Sequence, residues 1–201
     1  MQDVFKYTGL TLSVGLLISA LYFFYAQPKF INTFFSNSPA LYGLQTNFEL
    51  SQVPMKNQSN DEVFWQDYNQ TPLFVTAGFT SCVKSCPVTL AFYRELAKQI
   101  KTPINFAFLT IDPEIDSTER LATYLGNINP DFIGLRVEQP HLLDQVISEL
   151  KQSVFKTGNE NDFIHKGFIY LIHPEHKGLI IYQDYQMDIQ SMINDLKVLS
   201  S

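Results

Sequence analysis

Two short, nearly unbroken apolar runs, Leu73–Phe79 and Asn105–Ile111, flank a segment in which apolar residues recur every three or four positions. A strand that is apolar at almost every position is buried on both faces, as happens in a parallel or mixed sheet covered on each side. Between the runs, Leu90, Tyr93, Leu96, Ala97 and Ile100 make one apolar face of a helix. Pro87, preorganised for the first helical position, marks its start. The alternation continues with a third strand over Phe132–Val137 and a helix capped by Asp116 or Ser117 that runs through Leu121 and Tyr124 to Gly126. A helix opened by Pro140 presents Leu142, Leu143, Val146, Ile147 and Leu150 on one side. After a polar loop, Gly167–Ile172 and Gly178–Tyr182 read as a hairpin joined by 173–177, and Ile189, Met192, Ile193, Leu196 and Leu199 close the chain as an amphipathic helix. The expected fold class is α/β, a mixed sheet with helices on both faces, in a thioredoxin-like arrangement with one extra helix and strand.

What precedes this region differs in kind. No charged residue occurs between Tyr7 and Pro28, and twenty-odd apolar residues are long enough to cross a hydrocarbon core of about 30 Å. The end of that run, Leu21-Tyr22-Phe23-Phe24-Tyr25-Ala26-Gln27, is too bulky for a signal-peptide processing site, which favours an uncleaved single transmembrane helix. Lys6 and the terminal amine before the span, against Lys29 alone just after it, place the N-terminus inside and the rest in an oxidising compartment. Residues 29–70, rich in Pro, Asn and Ser, read as a spacer with weak strand content around 48–50 and 63–65. The expected plan is a tail at 1–6, an anchor at 7–28, a spacer at 29–70 and a folded domain at 71–201.

The formal net charge of −6 and a pI near 5.1 leave no basic stripe for nucleic acid. Two cysteines, Cys82 and Cys86, are too few for a disulfide scaffold, so their four-residue spacing reads as a metal site, a redox pair or one local bridge. They stand where the first strand gives way to the first helix, with Cys82 in the loop and Cys86 at or near the helix N-cap. A helix N-terminus favours a thiolate, and Lys84 adds charge of the same sign. Thiolate is both the nucleophile and the soft metal ligand, so this junction is where chemistry is expected.

Three stretches, in order, resemble signatures of the Sco/SenC family, membrane-anchored thioredoxin-fold copper proteins. Gly78–Leu90 looks like its cysteine motif, Ile111–Glu119 is similar to its Asp-Pro loop and following helix, and Phe163-Ile164-His165-Lys166 with Tyr170–Pro174 resembles its histidine segment. The resemblance covers roughly residues 70 to 199 and implies that Cys82, Cys86 and His165 are copper ligands. Two thiolates and one imidazole suit Cu(I) and also take Cu(II). It further implies delivery of copper to, or preparation of the cysteines of, the binuclear copper site of cytochrome c oxidase or another extracytoplasmic copper protein. The expected location is then the cytoplasmic membrane of a bacterium, with the domain on the periplasmic or outer face.

The chain departs from that pattern at Val83, where proline is usual, and at Lys84, where many members are acidic. Ile164-His165-Lys166 stands where Asp-His-Ser is usual, and His173 where Asp is common. The competing reading is a thiol–disulfide oxidoreductase that uses Cys82 and Cys86 as its redox pair, and a peroxidase is a weaker third. Among the remaining candidates, Asp112 is either a partner that supports the site or plain turn chemistry. His173 and His176 read as solvated turn residues, and His141 as surface.

Overall fold

The computed structural model describes Ser19, Tyr22 and residues 40–47, 49, 51–83, 85–156, 163–164, 167–174, 176, 178–183 and 187–200, with 155–156 and 163–164 described by backbone alone. Two compact units divide the chain, Met1–Ala40 and Leu41–Ser201. In the first, Ser19 and Tyr22 are helical and exposed. The span expected at 7–28 otherwise lies outside the described residues, and among the described residues no helix is long and apolar enough to cross a membrane.

The second unit is built on an eight-stranded mixed sheet. Its strands are β1 (Leu44–Thr46), β2 (Met55–Asn57), β3 (Glu62–Val63), β4 (Leu73–Gly78), β5 (Asn105–Thr110), β6 (Ile133–Arg136), β9 (Ile169–Ile172) and β10 (Leu179–Tyr182), in the order β1-β10-β9-β4-β5-β6-β2-β3. β7 (Phe155–Lys156) and β8 (Phe163–Ile164) form a separate antiparallel ribbon. β4, β5 and β6 run parallel, whereas β9 pairs antiparallel with both β4 and β10.

Apolar residues alternate between two cores. Leu73, Val75 and Ala77 of β4 and Ala107 and Leu109 of β5 face one layer, which contains Trp65 and also Leu143, Val146 and Ile147 of α3 (Pro140–Glu149). Phe74, Phe106 and Phe108 face the other, against Leu90, Tyr93 and Leu96 of α1 (Ser85–Gln99), Leu121 and Leu125 of α2 (Thr118–Gly126) and Met192 and Leu196 of α4 (Ile189–Leu199). Every residue of β4 is buried, so its apolar run and the helices on both faces share one cause.

The expected spacer needs correction. From residue 44 onward it is part of the domain, supplying edge strand β1, the β2–β3 pair and a 3₁₀ turn at Trp65–Tyr68. Val53, Met55 and Trp65 are buried in the core. Strands of two or three residues are too short to show a period, and the surrounding Asn, Ser and Pro disguise them. Of the weak strand stretches expected there, Val63 ends β3, while Phe48 and Leu50 lie outside the described residues. The first helix also begins earlier than expected, at Ser85, which leaves Pro87 as its third residue. There the missing N–H belongs to the group that has no intrahelical partner.

Strand directions decide what meets at one end of the sheet. Gly78 pairs with Thr110 in the parallel β4–β5 ladder, so the cysteine loop and the Asp-Pro loop leave the sheet side by side. Thr76 pairs with Ile169, which brings the start of β9 to the same end. The Thr76 hydroxyl donates to the Phe168 carbonyl over 3.0 Å, fixing the residues just after the histidine segment to the strand that carries the cysteines.

Candidate metal centre

Cys82 is partly exposed in the loop after β4, and Cys86 is buried in the first turn of α1, with no disulfide between them. The Cys86 backbone N–H donates to the Cys82 sulfur over 3.3 Å, while the Cys82 N–H donates to the Phe79 carbonyl over 3.2 Å. Cys82 therefore takes the place of a helix-capping acceptor. The favourable end of the helix acts on Cys82 rather than on Cys86, which the sequence had placed at the cap.

For Cys86, burial outweighs the helix. Its thiol pKa is pushed up from 9.0 to about 12, first by burial, then by the hydrogen bond and charge of Cys82, against weaker lowering from the Phe79 backbone and Ser85. The expectation of a lowered thiol pKa is thus overturned at Cys86. Its close fit depends on Gly78, because a Cβ there would stand 2.8 Å from the Cys86 sulfur and 3.0 Å from the Phe108 ring.

Under the loop lies a residue that sequence reasoning treated only as a possible cap. Asp116 is fully buried and accepts from the Thr80 N–H at 3.0 Å, from the Thr110 hydroxyl at 2.6 Å and from the Thr80 hydroxyl. Capping of α2 falls to Ser117, whose hydroxyl accepts from the Arg120 N–H. Arg120 in turn donates to the Thr80 hydroxyl over 2.5 Å and to the Ser81 hydroxyl over 3.2 Å, with its Nε 3.6 Å from Asp116. Asp112 is buried, and its carbonyl heads the turn that accepts the Ile115 and Asp116 N–H groups. Tyr124 of α2 also feels the site. Its hydroxyl pKa is pushed up to about 12, first by burial and then by the negative charge available at Cys86, Cys82 and Asp116.

His165, Lys84 and Lys166 lie outside the described residues. Among the described residues no group of three or more His, Cys, Asp or Glu side chains could hold a metal ion, so Cys82 and Cys86 are the part of the expected ligand set that is in view. His173 is not the solvated turn residue expected. It is buried, with Nε2 3.4 Å from the Ser200 hydroxyl, and lines a cavity of about 600 Å³ with His176. Ile172 pairs with Leu73 at the start of β4, so this cavity sits at the far end of the sheet from the cysteines. His141 is exposed, as expected.

The sequence matches the SCO1/SenC family profile over residues 44–201. The chain belongs to the SCO1/SenC family. An SCO2-like protein of Rickettsia prowazekii is 33% identical over 122 residues, covering 56% of this chain and 59% of the relative. The chain thus spans about three fifths of that relative's length. Among solved structures, a SCO1/SenC family lipoprotein from Bacillus anthracis superposes with a TM-score of 0.72 at 22% identity, covering 81% of this chain and all of that one. Arabidopsis thaliana ScoI, solved with copper bound, superposes with a TM-score of 0.66 at 19% identity over 74% of this chain and 98% of that one. These two likenesses establish the thioredoxin-like α/β fold shared with SCO1/SenC proteins.

Proposed function

We propose that this SCO1/SenC protein is a membrane-anchored copper-binding chaperone. Its cargo is held by Cys82, Cys86 and His165 and passed to the binuclear copper site of cytochrome c oxidase, or the protein prepares the cysteines of that site. Residues 7–28 are its anchor, with the N-terminus inside and the domain on the outer face of a bacterial cytoplasmic membrane. The observation that carries the reading is the sulfur pair at the β4–α1 junction, a partly exposed Cys82 with a buried Cys86 one helical turn behind it, in a family with a relative solved holding copper. Two thiolates with one imidazole form a soft donor set matched to Cu(I).

The partly exposed Cys82 is the ligand an acceptor protein reaches first. Cys86 enters the set only by losing its proton, and the metal supplies the reason to lose it. Titration of the reduced protein with Cu(I) against a competing chelator is expected to give one equivalent bound, with weakened binding in Cys82→Ser, Cys86→Ser and His165→Ala. Unchanged tight binding in a Cys82→Ser, His165→Ala double variant overturns the site.

The same geometry gives a second reading, reduction of a partner's disulfide. In it the Cys82 thiolate attacks the disulfide and expels one partner thiolate. Cys86 then gives up its proton and attacks Cys82, releasing the second partner thiol, so that the partner gains two electrons and Cys82–Cys86 becomes a disulfide. Turnover with a disulfide substrate that is unchanged in His165→Ala, together with no copper uptake, favours this reading over the first.

A further inference from the structure

Arg120 stands in an unfavourable place for a cation. It occupies the third position of α2, where the helix end carries partial positive charge and an acidic residue is the usual choice. It nevertheless points toward the cysteine loop, donating to the hydroxyls of Thr80 and Ser81, the two residues before Cys82. Buried Asp116 holds both partners, because it accepts from Thr80 through backbone and side chain and lies 3.6 Å from the guanidinium. Thr110, at the end of β5, anchors Asp116 from below. Five residues thus converge on one turn, Thr80 and Ser81 after β4, Thr110 at the end of β5, Asp116 in the loop after it and Arg120 in α2, and of the two charged ones Asp116 is buried while Arg120 is 48% exposed.

A local preference broken at a site marks a function elsewhere. We infer that Arg120, held by Asp116, is the positioning residue of the cysteine loop. Its planar fork fixes Thr80 and Ser81 together, which a lysine cannot do. The arrangement it holds is that of the dithiol, with the Cys86 N–H donating to the Cys82 sulfur, so its contacts favour the dithiol over the disulfide. The inference builds on the proposed role of Cys82 and Cys86 but requires only that they form a redox couple.

The experiment compares full-length wild type with Arg120→Gln, Arg120→Lys and Asp116→Asn. It reads the Cys82–Cys86 reduction potential in thiol–disulfide buffers, the denaturation midpoint and, for wild type alone, copper stoichiometry. Arg120→Gln is expected to leave the midpoint in place and to shift the dithiol–disulfide equilibrium toward the disulfide about three- to tenfold, a fall of about 15–30 mV for a two-electron couple. Arg120→Lys recovers part of that shift, and Asp116→Asn lowers both potential and midpoint. A potential in Arg120→Gln equal to wild type, or one in Arg120→Lys displaced as far as in Arg120→Gln, overturns the inference. Absence of copper uptake by wild type tells against the chaperone reading alone, since the potentials judge Arg120 independently.

Discussion

If Cys86 remains a thiol until metal arrives, copper uptake must release its proton. The Cys86 pKa stands about 3 units above its ordinary 9.0, a cost of about 4 kcal/mol for forming the buried thiolate relative to an exposed one. At pH 7 the group lies about five units below that pKa, so about 7 kcal/mol of the copper–sulfur interaction is spent on removing the proton. The apparent Cu(I) binding constant should therefore rise at least about tenfold per pH unit between pH 6 and 8, with at least one proton released per copper. Competitive titrations at several pH values and an indicator dye in weak buffer measure both. In Cys86→Ser the slope should fall by one. A flat profile in wild type, or an unchanged slope in Cys86→Ser, refutes the reasoning.

The same shift carries a stability signature in the copper-free protein. Below pH 9 the thiol is protonated in both folded and unfolded chains, and the two states do not differ in bound protons. Between pH 9 and 12 the unfolded thiol ionises while the folded one stays protonated. Stability present below 9 is then lost progressively toward 12, by up to about 4 kcal/mol, and Cys86→Ser should lack this component.

Two further substitutions probe the frame around the site. Gly78→Ala places a methyl group 2.8 Å from the Cys86 sulfur and about 3 Å from Phe108, so it should cost about 1–3 kcal/mol in denaturant unfolding and also weaken copper binding; wild-type values for both would show that the strand end yields freely. Asp195→Ala removes the buried carboxylate that accepts from the Tyr42 N–H at 2.8 Å, the Gly43 N–H at 3.0 Å and the Tyr182 hydroxyl at 3.0 Å. A loss of about 3 kcal/mol is expected in chemical denaturation, with early exchange of the β1 amides, whereas a loss below about 1 kcal/mol would mean that the domain does not depend on its first strand.

The central frame was readable from the chain because strands buried on both faces leave no polar alternation to confuse, and because Pro87 and Pro140 open helices at or near their first positions. The strands before residue 71 were not. β1 and β2 are three residues long and are held by partners over 70 positions away, Ile180 for Gln45 and Arg136 for Lys56, while β3 has two residues and is paired only with β2. No local pattern encodes such pairings. The β7–β8 ribbon is lost to the same cause, since two residues per strand cannot display a period.

At the site, residue types and order were legible, and the balance of forces was not. The sequence assigns the lowered thiol pKa to Cys86 at the helix cap, with Cys82 in the loop before it, and does not show which of the two is buried. That is decided by the fold. Cys82 accepts the N–H of Cys86 in a partly open loop, whereas Cys86 is buried in the core cluster that includes Phe79 and Ala77, where burial raises its pKa by more than the hydrogen bonds of Phe79 and Ser85 lower it. Asp116 and Ser117 were equally good caps on sequence grounds. The choice rests on Thr80 and Thr110, which arrive from two neighbouring strand ends and claim the carboxylate, leaving the hydroxyl of Ser117 for the helix. The Asp-Pro signature and the cysteine signature, separate by some thirty residues in sequence, are thus two halves of one support. A substitution in the loop after β5 should act on the chemistry of the loop after β4 through Thr80 and through Arg120, which Asp116 holds beside Thr80 and Ser81.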